Sequence, residues 1–138
     1  MNIDKGWRSS VQAELLRRAQ EDNMKSVEVV KELVEAQFKD FAQPIEELTD
    51  IIADNDQIRY KAYDRALDVN YASDVITFYR VKFSSNGEQK ERKFFAEIST
   101  NDDGIFVVYD NDREEYINEA YIERILKEAF FIGISLRV

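Results

Sequence analysis

From Val27 to Ile52 the apolar positions fall at Val27, Val30, Val34, Phe38, Phe41, Ile45, Leu48 and Ile52, always three or four residues apart. That rhythm lays a single narrow seam along a helix. Val29, Leu33 and Ile51 lie beside the seam and widen it, while Glu28, Lys31, Glu32, Glu35 and Lys39 occupy the polar side. Glu35 and Lys39 are an i,i+4 pair in the favourable order, and Glu28 and Glu32 are a like-charge pair. Pro44 interrupts the run. Proline suits a first helical turn, and Glu46 and Glu47 just behind it complement the positive end of a new helix dipole. The pattern therefore predicts a helix kinked or broken near Pro44 and helical structure continuing to Asp54. Upstream, Leu16, Ala19 and Met24 extend the helical reading back to about Arg8. A weak point falls at Glu21-Asp22-Asn23, and Ser26 is a suitable N-cap for the helix that carries the seam.

Beyond Asp54 the period changes. Ile58, Tyr60 and Ala62 alternate as in a strand, expected over Gln57–Arg65, although Tyr60, Tyr63 and Leu67 also fit a helical face. Val75, Thr77, Tyr79, Val81 and Phe83 alternate into Ser84-Ser85-Asn86-Gly87, where Asn-Gly marks a hairpin. A two-residue loop would set Tyr79 opposite Phe94, Phe78 opposite Phe95 and Arg80 opposite Lys93. The last of these is a like-charge pair, which argues for a longer loop or a bulge. Asn101–Gly104 reads as a turn, Ile105–Tyr109 as a short central strand and Glu114–Phe131 as a helix capped by Gly133. Residues 134–138 alternate as a terminal strand would. These elements make one domain over residues 1–138, of class α+β. Its N-terminal helices, residues 1–54, pack on a small antiparallel sheet of four to five strands with a C-terminal helix.

Composition narrows the chemistry. The chain has 138 residues, no cysteine and no histidine. Disulfides, thiol nucleophiles, imidazole bases and Cys/His zinc sites are thereby excluded within it. Carboxylate, Ser-Lys and Tyr chemistry and oxygen-ligand metal sites stay open. The four glycines are isolated, so no glycine-rich phosphate loop exists. The N-terminus has no apolar signal-peptide core, and the longest apolar run is far too short to span a bilayer. These features lead us to expect a cytoplasmic protein without membrane contact. The net charge of −9 is split as −5 over residues 1–55, +1 over 56–100 and −5 over 101–138. Such a field disfavours nucleic acid and favours basic proteins.

The charged clusters have bland readings. Asp102 and Asp103 should lie at the opposite end of one strand from Asp110 and Asp112, too far apart for one metal. Asp110–Glu115 superficially suggests a calcium loop, but it lacks the glycine at the sixth position and has Tyr121 where a bidentate glutamate belongs. Glu91 and Glu97 are ordinary strand polarity. Arg80, Lys82, Lys90, Arg92 and Lys93 form a basic hairpin end with Glu88 and Glu91 interleaved. No catalytic, metal or cofactor residue is assigned.

The seam is the remaining feature, and the expected function is that of a non-enzymatic protein-interaction module. It would be an acidic homodimer with a protein partner of basic character, in an inhibitor, immunity or chaperone-like role. Contact with itself or the partner is expected through Val27, Val30, Val34, Phe38, Phe41, Ile45, Leu48 and Ile52. The alternatives are a small carboxylate-dependent enzyme or ligand-binding domain, and a nucleic-acid mimic that blocks a DNA-handling protein.

Overall fold

Two helices open the described chain, and they differ in how much they bury. The computed structural model describes residues 4–131, the side chain of Asp110 aside. Helix α1 spans Gly6–Asn23 and α2 spans Val27–Ala42. In α2, Val30, Val34, Phe38 and Ala42 recur on one side and are buried. The helix carries Glu28 in its first turn and Lys39 in its last, each where the helix dipole favours it. α1 has no buried residue.

The helical seam ends at Ala42. Gln43–Leu48 tightens into a 3-10 turn with Pro44 near its start, and Ile45 inside it has non-helical angles. The break predicted at Pro44 is present. The helix expected after it is replaced by strand β1, Thr49–Asp54. Six further strands complete the sheet: β2 Gln57–Ala62, β3 Arg65–Tyr71, β4 Val75–Phe83, β5 Gln89–Thr100, β6 Phe106–Asp110 and β7 Arg113–Tyr116. Helix α3, Glu119–Phe130, closes the described residues and is capped by Asn118 Oδ1 accepting from Tyr121 N–H at 2.9 Å.

The strands form one antiparallel sheet in chain order, β1 to β7. Among the described residues seven strands replace the four to five expected, because three tight turns are not written with glycine. Asn55, Tyr63, Asn111 and Asp112 adopt positive φ instead. At Asn111-Asp112 both loop residues do so, which is the condition for a two-residue hairpin turn. Arg113–Tyr116 is therefore a strand rather than the first turn of the last helix, and β6 lies second from the sheet edge rather than centrally. The Gln57–Arg65 strand is cut at Ala62 by the Tyr63-Asp64 turn.

The Asn-Gly hairpin forms with a loop longer than two residues, and a register shift between Lys82 and Phe83 offsets the extra length. Ser84 N–H donates to Glu88 O and Gly87, at φ +87°, donates to Ser84 O. Tyr79 faces Phe94 and Arg80 faces Lys93 as the short-loop register predicted, but Phe78 faces Ala96 rather than Phe95. A register shift between Phe78 and Tyr79 accounts for the difference. Arg80 escapes Lys93 by reaching Glu128 of α3 at 3.3 Å.

Helices α2 and α3 cover one face of the sheet. Ile58 and Tyr60 of β2, Leu67, Val69 and Tyr71 of β3, Ile76 and Phe78 of β4, and Ile98 of β5 meet Val30, Val34 and Phe38 of α2 and Ile122, Ile125 and Leu126 of α3. Phe38 sits among Tyr60, Phe41 and Phe130, with ring centres 5.3–6.1 Å away. Gly133 and the expected strand at 134–138 lie outside the described residues.

Candidate interaction surfaces

The seam residues divide by burial. Val30, Val34 and Phe38 are fully enclosed in the protein's own core and are inaccessible to a partner. That corrects their assignment to an interface: α2 and α3 together cover the sheet, so the stripe is consumed internally. Val27 is partly buried against the same core. Phe41, Leu48 and Ile52 are exposed and Ile45 is half-buried, but they lie on α2, the 3-10 turn and β1, not on one helix.

Phe41 and Ile45 help to line an open apolar groove of about 580 Å³ with Tyr63, Leu126, Phe130 and Phe131. Arg65 sits at its edge, donating to Phe130 O at 3.0 Å and pairing with Asp64 at 2.9 Å. That pairing holds the Asp64 carboxyl below its ordinary pKa. Tyr63 at φ +54° is unusual for a bulky residue. Its N–H is held by Leu48 O at 2.8 Å. The groove is open and mainly apolar, with Asp64, Arg65, Glu123 and Lys127 also in its lining.

The sheet face away from α2 and α3 carries a buried charge. Asp68 on β3 has no solvent exposure. Arg59 on β2 donates to both its carboxylate oxygens, Nε at 2.7 Å and Nη2 at 2.9 Å, and Arg92 Nε on β5 donates to Oδ2 at 3.0 Å. Gln89 and Gln57 accept the next guanidinium hydrogens, each at 3.0 Å. The Arg92 guanidinium lies 3.8 Å from the Tyr79 ring centre, in cation–π contact. Charge-assisted hydrogen bonds thus satisfy both oxygens of Asp68, and the cluster is a structural clasp across four strands. It also removes Arg92, and Glu128 removes Arg80, from the basic hairpin end expected of the sequence. What remains there is a weaker candidate for a nucleic-acid groove.

Beneath α2, the hydroxyls of Tyr60 and Tyr71 meet at 2.8 Å in the core. Burial pushes Tyr60 up to about 12 and Tyr71 higher still, so both are held neutral. Among the described residues no three Asp or Glu side chains gather as metal ligands, and no helix is long and apolar enough to cross a membrane.

Helix α1 is a surface that the rhythm of apolar residues did not single out. Trp7, Val11, Leu15 and Leu16 are 62, 44, 56 and 69% exposed. The helix is held to the rest of the chain at its end, where Tyr116 donates to Glu21 Oε1 at 2.8 Å and Phe106 N–H donates to Met24 O at 2.8 Å. Arg17 joins Glu14 and Glu21, and Arg18 reaches Glu14 at 3.1 Å. Those arginines hold the Glu14 carboxyl down at about 2. At 100° per residue, Met24 lies nine residues and half a revolution from Leu15. The apolar arc of Val11, Leu15 and Ala19, bordered by Trp7 and Leu16, thus faces away from the body. The i,i+4 spacing of Trp7, Val11 and Leu15 was the available signal. It lies in a segment otherwise so polar that the stronger stripe at Val27 drew the interface assignment. No family model matches this chain, and no curated protein or solved structure is detectably similar to it.

Proposed function

We propose that this protein is a non-enzymatic interaction module whose docking element is α1. The observation that carries this reading is an 18-residue helix without one buried residue that turns Trp7, Val11, Leu15 and Leu16 to solvent. In water an isolated helix of this length is marginal, and most helices in proteins are stabilised by packing an apolar face. An apolar helical face that leaves the parent domain untouched is the form in which helices enter grooves or pair with other helices. The enzyme reading has less support. Among the described residues the two carboxylates with displaced pKa values, Glu14 and Asp64, are both pulled down by arginines, where a general acid needs the opposite.

The test is comparative capture. The full chain and a Val11→Glu/Leu15→Glu variant are immobilised and exposed to extract from the native cell. A protein retained by the wild type and lost by the variant is then purified and titrated while the fluorescence of Trp7, the sole tryptophan, is followed. A blue shift that saturates with the wild type alone is expected. Identical retained proteins for both chains, or binding indifferent to the two glutamates, would overturn the reading.

A further inference from the structure

The outward arc of α1 reads Arg8, Val11, Leu15, Ala19 and Asp22. Centred on Leu15, it is self-complementary. Four residues either side stand Val11 and Ala19; seven either side stand Arg8 and Asp22. An antiparallel copy related by a two-fold axis through Leu15 therefore sets Leu15 against Leu15, Val11 against Ala19 and Arg8 against Asp22, the last pair made twice. A two-fold interface requires this kind of match between one patch and itself.

We infer that the occupant of the α1 face is a second copy of this chain, bound through an antiparallel α1 pair centred on Leu15. The inference rests on the reading of α1 as a docking element and supplies the partner. Charge favours it over a basic protein. α1 holds three basic residues, Arg8, Arg17 and Arg18, and three acidic ones, Glu14, Glu21 and Asp22, so it is neutral in a chain of net charge −9. The docking face thus adds no net charge of its own to the repulsion between two acidic chains. Arg8 and Asp22 are both free to engage. Arg8 is exposed beside Trp7, and Asp22 has only a loose 3.6 Å contact with Lys25 on a side chain 76% exposed. The sides of α1 that meet its own body, at Glu21 and Met24, are turned away from the pairing arc. One helix about 27 Å long from each copy makes a small interface. Association is therefore reversible and concentration-dependent.

The native absence of cysteine makes a direct test clean. Leu15→Cys and Ser9→Cys are compared in the full chain under mild oxidation. Ser9 is exposed on another side of α1. The Leu15→Cys dimer is expected to form at least about tenfold faster, because pairing raises the effective thiol concentration at the two-fold axis. In sedimentation equilibrium, Arg8→Glu and Asp22→Lys should each weaken the dimer, and the double variant should restore it by exchanging the charges. Thermal unfolding confirms that each variant folds, as expected for residues that bury nothing. A monomer at every concentration, equal crosslinking of the two cysteines, or a double variant no better than the singles overturns the self-pairing. If a different protein still requires Val11 and Leu15 for capture, the docking reading stands and only the second copy falls. If nothing does, both fall.

Discussion

α1 and α2 are consecutive, similar in length and both regular, yet they are stabilised by different means. α2 places Val30, Val34, Phe38 and Ala42 into a core shared with the sheet and α3. α1 buries nothing and relies on Glu14, Arg17, Arg18 and Glu21, whose exposed pairs are weak and screened by salt. The contrast shows that an apolar stripe does not by itself declare an interface. The stripe with the stronger rhythm is internal, and the weaker one is exposed.

Truncation should separate the two helices most sharply. Phe38→Ala removes a ring packed against Tyr60, Phe41 and Phe130 and should cost about 3–5 kcal/mol in urea unfolding. Leu15→Ala in α1, measured in the same way at dilute concentration, should change monomer stability by no more than about 0.5 kcal/mol. Comparable losses at the two sites would remove the distinction.

The face of the sheet without α2 sharpens the comparison, because there a charge cluster stands where helices stand on the other side. Arg59→Ala strips two of the three hydrogen bonds from buried Asp68, and Arg92→Ala strips one. Breaking a buried pair by removing one partner costs about 3–5 kcal/mol. Arg59→Ala should reach that range and Arg92→Ala fall below it, as read from denaturation midpoints. A reversed order would mean that Asp68 is held mainly by Arg92.

The clasp also shows what was legible and what was not. Residues 27–42 could be read as a helix because one period governs all sixteen. The reading then ran on through Ile45, Leu48 and Ile52, since a 3-10 turn followed by a strand happened to keep the three-and-four spacing. The partial burial of Ile51 and exposure of Ile52, adjacent in β1, show the period of two that took over. Arg59, Asp68 and Arg92 could not be joined without knowing that β2, β3, β4 and β5 are neighbours in order. That order depended on the β2–β3 turn, where Tyr63 takes positive φ in place of glycine, and on the β3–β4 turn over residues 72–74, which has no positive φ. The Asn-Gly hairpin lies where the sequence places it, but only Gly87 takes positive φ, and Arg80 still faces Lys93 because a register shift between Lys82 and Phe83 offsets the longer loop.

A smaller effect separates what lies under α2 from any feature of α1. Tyr71→Phe leaves the buried Tyr60 hydroxyl without its partner and should cost about 1–3 kcal/mol, while Tyr60→Phe/Tyr71→Phe together should cost less than the single change. The same pair sets an alkaline limit. The folded protein keeps Tyr60 neutral up to about 12, whereas the unfolded chain ionises near the ordinary value of 10.0. The stability this provides is complete below pH 10 and drains away as pH rises toward 12. Chemical denaturation across that window should show the decline in the wild type and lose most of it in the double variant.

The smallest expected effect lies at the acid end and belongs to α1 alone. Arg17 and Arg18 hold Glu14 at about 2, below its ordinary 4.5. A carboxyl depressed on folding contributes stability above its unfolded pKa and loses it as pH falls through the folded one. Between pH 4.5 and 2 the ion pairs of α1 should therefore dissolve as Glu14 protonates. The buried side of α2 has no ionisable group in that range, since Val30, Val34, Phe38 and Ala42 line it. Carbon chemical shifts along the backbone, followed by NMR at low salt and low protein concentration, should show residues 10–21 losing helical character before residues 27–42 do. Salt should blunt the change, because the pairs are exposed and screened. At high protein concentration α1 should resist further acid if its Leu15 face is covered by a second copy. The same titration at two concentrations thus asks whether α1 differs from α2 in lacking a partner altogether, or only in keeping its partner on another molecule.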